Sequence, residues 1–472
     1  MAGWRWRALV AGRNALAFGR TNTIDKMPSH AGEETFSTSE VLSLALPAVG
    51  EQVLNMMVGV ADSYLVGHLG AAPLAAVGLA NQVVMLATAL YSAVGTGATA
   101  LIARHTGARE ARVVDAVLHQ AMIMGGIVGL ASSALFGVFA QPCIILLNAP
   151  EDVIGPGTIY LQIVALSFLI SALMFLGMAA LRGAGDTRTP MIVMGIVNAV
   201  NIVVAYAFIY GAGPIPALGV AGSAIGAAVA RSLGGLIILA LLLRGKSGLH
   251  LRLSHLRPDR VQVGRIVNIG LPAALETLFM RFGQMAYATV VAGLCTAAFA
   301  AHQLALTSES LSYMPGFGFA VAATTLVGQG LGARDPKRAE RGGYESLRMA
   351  LISMTFMGAL FILFAPQFLG FFTSDPEVIE QGTWPLRLVG FSQPALASAM
   401  VLSGGLRGAG DTRRTLLITA VGFWILRLPL AVLLSGPFGL IGAWVAMGVD
   451  LNARGSAIFW RYRSGRWKAL RV

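Results

Sequence analysis

From Val41 onward, apolar runs of helical length alternate with short polar connections almost to the end of the chain. A helix crossing the hydrocarbon layer of a bilayer needs about 20 mainly apolar residues. Against that length the pattern predicts twelve spans: 41–66, 79–102, 115–141, 158–181, 190–211, 219–243, 266–294, 304–331, 345–372, 384–406, 416–435 and 439–460. The longest of these would tilt, or run past the hydrocarbon at one end. The expected fold class is an all-α polytopic membrane protein.

The connections differ in charge. Those after spans two, four, six, eight and ten hold three, two, six, four and three Lys or Arg, and each terminal tail holds five. Those after the odd-numbered spans hold none. By the positive-inside rule both termini face the cytoplasm, and the plasma (inner) membrane is the expected location. The remaining basic residues, Arg231, Arg281, Arg348, Arg387, Arg427 and Arg454, lie at or inside span ends.

The chain also repeats itself. LRGAGDT followed by Arg occurs at Leu181–Arg188 and again at Leu406–Arg413, 225 residues later. ALPAVGEQ at Ala45 aligns with GLPAALET at Gly270, and TALIARHTGARE at Thr99 with TTLVGQGLGARD at Thr324, both at that offset. GVAG at Gly219 matches GLIG at Gly439 at an offset of 220. Two homologous halves of six spans each follow. Six being even, both halves enter the membrane in the same direction, a parallel repeat about an axis along the membrane normal. The expected organisation is a basic cytoplasmic tail (1–40), a first lobe (41–243), an inter-lobe linker (244–265), a second lobe (266–460) and a basic tail (461–472). Whether Met1 or Met27 is the start is open, and no cleaved signal peptide is expected. The repeated motif falls in the cytoplasmic connection after the fourth span of each half. Gly183, Gly185 and Asp186, like Gly408, Gly410 and Asp411, suit a tight turn into a helix start, with glycines at positive φ and aspartate as N-cap; a gating hinge is the alternative.

Composition agrees with lipid as the solvent. Of 472 residues 56% are hydrophobic and 12% charged, where soluble domains carry about 25% charged. The net charge of +12 sets topology, so no nucleic-acid partner is expected. Two cysteines give neither a disulfide framework nor metal-ligand spacing. No metal or cofactor is expected. RGKS at Arg244 lacks the earlier glycine of a phosphate-binding loop and follows a membrane helix.

Ionisable groups inside spans are costly and point to function. In the first span Glu51, Asn55 and Asp62 fall within about 40° of one another on one helix face. Glu51 and Asp62 stand about 16 Å apart along the axis, two stations on one stripe. Asp62 lies in the outer part of the span, where a partly desolvated carboxylate can exchange a proton or hold Na⁺. In the second half Glu276 matches Glu51, but Met280 replaces Asn55 and Tyr287 replaces Asp62. The first lobe therefore offers the ion site, and Glu276, Gln303, Glu309 and Tyr287 are offered to a substrate cavity. Asp450 and Arg454, spaced i,i+4, pair with each other, or Asp450 pairs with Arg427, in a structural role.

LPAVGEQVLNMMVGVADSYLVGHLGAAPLAAVG (Leu46–Gly78), MPGFGFAVAATTLVGQGLGA (Met314–Ala333) and the doubled LRGAGDTR resemble the multidrug and toxic compound extrusion (MATE) transporters. The resemblance runs from about Val41 through nearly the whole chain. It implies twelve helices in two lobes, alternating access, and export of mostly cationic, lipophilic compounds in exchange for H⁺ or Na⁺. It places the family's first-span aspartate on Asp62 and its fifth-span asparagine on Asn201. Two positions depart from the pattern. Ala205 stands where members with a fuller first-lobe site add an aspartate, and Met280 where other subgroups carry an acid eight positions after Pro272. One carboxylate suits H⁺ better than Na⁺. The expected protein is no enzyme; it works as a monomer in the bilayer on small organic substrates. A flippase for a lipid-linked precursor is the alternative, with Arg281 and Arg427 its only hints, and a polytopic membrane enzyme or receptor is the remote one.

Overall fold

The structure, a computed structural model, describes residues 37–212, 216–252 and 257–470. The tail expected over 1–40, with Met1 and Met27, lies largely outside them. The first half comprises α1 (Thr38–Gly67), α2 (Ala71–Gly107), α3 (Ala111–Val138), α4 (Ala140–Leu146), α5 (Glu151–Leu166), α6 (Phe168–Gly183), α7 (Arg188–Tyr210) and α8 (Val220–Leu243). The second comprises α9 (Arg260–Ala292), α10 (Thr296–Gly332), α11 (Pro336–Gly370), α12 (Pro376–Gly408), α13 (Thr412–Ala420), a π-helical stretch (Val421–Arg427) and α14 (Leu428–Arg463).

Helix starts follow local chemistry. Ser37 and Glu40 form a capping box at α1: Glu40 N donates to Ser37 Oγ over 3.2 Å, and Ser37 N to Glu40 Oε2 over 2.8 Å. Asp259, Asp335 and Asp375 each accept first-turn amides, and prolines 336 and 376 occupy the first helical position. The helices extend several residues beyond the predicted spans, because hydropathy marks the hydrocarbon-embedded part while backbone hydrogen bonding continues past it.

Among the described residues nine helices are long and apolar enough to cross a membrane, and the pair α5–α6 makes ten. That pair bends by 56° at Ser167, so the predicted span 158–181 is two helices. The stretch Thr412–Arg463 has 52 residues, about 78 Å of helix, more than twice a bilayer core. It breaks at Gly439 (φ 57°, ψ −137°), which restores the predicted division after 435. With α12, diluted by Ser, Gly, Gln and Pro but 33 residues long, the twelve spans are accounted for.

The connections that carry the basic residues gather at one end, here called the basic end. There the linker docks on α3: Arg252 N donates to His119 Nε2 over 2.9 Å, Gln120 Nε2 to Arg257 O over 2.7 Å, and Asp259 N to Gln120 Oε1 over 3.0 Å. The two halves meet at this end through glycines. A Cβ at Gly107 would collide with the Gln329 carbonyl, and one at Gly332 with that of Arg104, its equivalent at the 225-residue offset. Gly270 packs on the Ala93 carbonyl as Gly318 packs on that of Ala45. Val41 and Ala45 of α1 are buried in the second half's core, and Ile266 and Ile269 of α9 in the first half's. At the far end each core is built from one half alone, around Tyr91, Tyr160 and Phe168 in the first and Tyr287, Phe361 and Trp444 in the second.

Candidate functional site

Glu51 points to an arginine of its own half. Arg182, at the end of α6, places Nη1 2.5 Å from Glu51 Oε1, and Glu51 is 5% exposed. The second half repeats the pair: Arg407 Nη2 lies 3.1 Å from Glu276 Oε1, which also accepts from Thr419 Oγ1 over 3.0 Å. Glu51 is held in an intramolecular ion pair, and Glu276 is buried in another. Asn55 is exposed and has no part in either arrangement. Of the expected stripe along α1, Asp62 is the carboxylate without an arginine in direct contact.

Asp62 is 4% exposed, enclosed by α1, α5, α7 and α8. With the amide turned to satisfy both neighbours, Asn201 Nδ2 donates to Asp62 Oδ1 over 3.1 Å and Asn201 Oδ1 accepts from Ala227 N over 3.3 Å. Arg231, one turn further along α8, and the buried Tyr160 of α5 share the electrostatic field of the carboxylate. Asn198, one turn before Asn201, ties α7 to α1 by donating to Leu54 O over 2.8 Å. Ala205 is fully buried against Gly226, so an apolar close contact fills the place of a second carboxylate.

At the repeat-equivalent positions the second half is built differently. Trp424 Nε1 donates to Phe279 O over 3.1 Å, the counterpart of Asn198 on Leu54. The α9 partner keeps the offset of 225, while the tryptophan stands at 226. The extra residue is absorbed in the π-helical stretch Val421–Arg427, since a π turn is an α turn widened by one residue. Arg427 thereby takes the place of Asn201, and Tyr287 that of Asp62. The Arg427 guanidinium carbon sits 4.5 Å from the Tyr287 ring centroid and 4.6 Å from that of Phe423. Asp450 is fully buried and held bidentately by Arg454 at 2.8 and 2.8 Å, with Arg427 Nη1 at 3.9 Å from Oδ2. Glu309 is 5% exposed and feels both arginines. Gln303, expected beside it, is exposed on another face.

The duplicated turns serve packing as much as conformation. Gly185 and Gly410 have φ of 94° and 86°, as a tight turn requires. Gly183 and Gly408 do not; they lie against the carbonyls of Thr99 and Thr324, where a side chain has no room. Asp186 accepts from Thr189 N over 2.9 Å and from Ser247 Oγ over 2.6 Å. Asp411 caps nothing and instead binds Arg461 at 2.7 Å.

Sequence reading passed over Arg182 and Arg407, taken only as topology-setting charges, and over Arg231, Tyr160 and Trp444. For the first two the signal was present. The arginine of LRGAGDT recurs at the offset at which Glu51 recurs as Glu276.

A family model described as MatE matches residues 47–207 and 272–433, one copy per half. The chain is 32% identical to the probable multidrug resistance protein NorM of Thermotoga maritima over 91% of this chain and 93% of that one. It is 28% identical to the multidrug resistance protein PmpM of Pseudomonas aeruginosa, over 90% and 91%. In fold it matches a multidrug resistance MATE transporter of the MOP superfamily solved in an outward-facing conformation, with a TM-score of 0.84 over 90% of this chain and 95% of that one at 24% identity.

Proposed function

The chain belongs to the MatE family of multidrug efflux transporters, and from that premise we propose that it is an antiporter exporting organic, mostly cationic and lipophilic compounds in exchange for protons. The observation that carries this reading is the buried Asp62–Asn201 pair with Ala205 beside it. A hard metal cation is held by several oxygens at once. One carboxylate and one amide make a poor cage for Na⁺, whereas a proton needs a single oxygen.

In this reading the basic end is cytoplasmic, as the positive-inside rule directs. The halves are joined there and have separate cores at the other end, which corresponds to the outward-open arrangement. A proton arriving from outside loads Asp62, neutralises the carboxylate and favours the return to the inward-open state. There the substrate is taken up and the proton released. Each ligand shifts the equilibrium between two arrangements by its differential affinity for them. One chain contains both lobes and suffices as a monomer.

Ethidium transport by inverted membrane vesicles under an imposed pH gradient, or separately a Na⁺ gradient, tests this. Transport driven by the pH gradient alone and lost in Asp62→Asn is the expected result. Transport driven by Na⁺, or untouched by the substitution, would overturn it.

A further inference from the structure

Among the buried polar groups of the second half that are left without an acceptor, four lie side by side. Arg427 Nε, His302 Nδ1 and Trp444 Nε1 have no hydrogen-bond partner among the described residues, and the Tyr287 hydroxyl, which lies against the Arg427 guanidinium and accepts from it, has no acceptor for its own proton. Their residues are 6, 2, 1 and 1% exposed. Arg427 and Trp444 can only donate, and the hydroxyl and imidazole can each donate one proton. The four come from separate elements, the π-helical stretch, α9, α10 and α14, yet they are contiguous. The guanidinium lies over the Tyr287 ring at 4.5 Å, the Tyr287 and His302 centroids are 5.6 Å apart, and so are those of His302 and Trp444.

Packing does not leave such a group without reason, because each buried unpaired donor costs free energy that a partner would recover. The acids nearby are not that partner. Asp450 is held bidentately by Arg454 and forms a longer ion pair with Arg427 Nη1 at 3.9 Å, which leaves Arg427 Nε without an acceptor. Glu309 acts on Arg427 only through its field. Asp450 lies between Arg454 and Arg427, and Glu309 is the second acid whose field the two arginines share.

We propose that Arg427, Tyr287, His302 and Trp444 form an anion-binding centre in the second lobe, taking a small singly charged acceptor: a halide ion or the carboxylate of an organic ligand. The repeat sharpens the argument. The two positions that hold a carboxylate and an amide in the first lobe, Asp62 and Asn201, hold an aromatic ring and a guanidinium in the second. One lobe is built for a cation and its twin for an anion. Glu309 competes for the same positive charge, so Glu309→Gln tightens anion binding.

The test is thermal unfolding of the purified full-length protein at constant ionic strength, with sodium chloride or sodium benzoate replacing the salt of a bulky sulfonate. This readout is independent of transport, so its failure leaves the antiport reading untouched. At about 100-fold excess over Kd a single site raises Tm by about 3 °C in a chain of this size. That rise is expected for the native chain, absent in Arg427→Gln and larger in Glu309→Gln. A rise with chloride alone identifies a free inorganic ion, and one with benzoate alone a ligand's carboxylate. No rise with either probe, or an equal rise in Arg427→Gln, would overturn the proposal. Should Arg427→Gln fail to fold, crystals of the native chain soaked in bromide decide. An anomalous peak among the four donors supports the centre, and ordered water alone refutes it.

Discussion

Arg182 reaches back from the end of α6 to hold Glu51 of α1 at 2.5 Å, and the same pair recurs 225 residues later as Arg407 and Glu276 at 3.1 Å. In both halves a carboxylate one turn past the helix proline is tied to the arginine of the duplicated LRGAGDT motif. The motif is thus one half of a lock between the first and fourth spans of each lobe. Arg182→Gln leaves Glu51 buried and unpaired, and the expected cost is about 3 kcal/mol. Arg407→Gln costs less, since that side chain is 33% exposed against 15% for Arg182. Thermal unfolding in detergent, with Glu51→Gln/Arg182→Gln closing a double-mutant cycle, measures both. Equal and negligible losses would refute the lock.

The glycine contacts between the halves predict a conformational effect. Gly107→Val and Gly332→Val each drive a branched side chain into a carbonyl of the opposite half. Opening of the basic end relieves that clash. Distances between spin labels on α2 and α10 at that end should lengthen in either variant, with equivalent effects because the two contacts are equivalent in the repeat. Unchanged distances would mean that the glycines are not what lets the halves close.

Asn201→Leu keeps the side-chain volume and removes the donor to Asp62. Transport driven by a pH gradient should fall at least tenfold, by the order of the 1–3 kcal/mol that an unpaired buried polar group costs. Ethidium binding to the resting protein should be unchanged. A fall in binding with intact coupling would assign Asn201 to the substrate instead.

At the turns the two glycines of each motif should fail differently. Gly185→Ala and Gly410→Ala force an L-residue to φ near 90°, at a cost of about 1–2 kcal/mol each. Gly183→Ala and Gly408→Ala have acceptable dihedrals but overpack α6 on α2 and α12 on α10, costing about 1–3 kcal/mol. Raising the side chain from Ala to Leu, which adds bulk without branching at Cβ, separates them. The loss should grow steeply at 183 and 408 and far less at 185 and 410, which unfolding midpoints would show.

Much of the fold was readable in the residues. Span number, the charge alternation and the two-fold repeat depend on local quantities: apolar length against bilayer thickness, the count of Lys and Arg per connection, and identity at a fixed offset. Where reading failed, the cause was contact at a distance. Glu51 and Asp62 share a helix face, so their spacing cannot say which is free. The deciding arginine lies 131 residues away, in both halves. The break at Ser167 was hidden because an apolar run keeps its hydropathy through a bend.

The sequence by itself determined the spans, the alternation of charge and the duplication, and it put Asp62 forward, to which the family resemblance added Asn201. Only the tertiary structure decided that Glu51 and Glu276 are locked to arginines, and that α1 and α9 are each buried in the opposite half's core at the basic end. It also decided that Arg427 stands where the repeat has Asn201. The physical reason is that a buried charge takes its meaning from its partner. Partners are fixed by helix packing and, at Arg427, by one extra residue absorbed in a π turn, which an alignment at constant offset passes over.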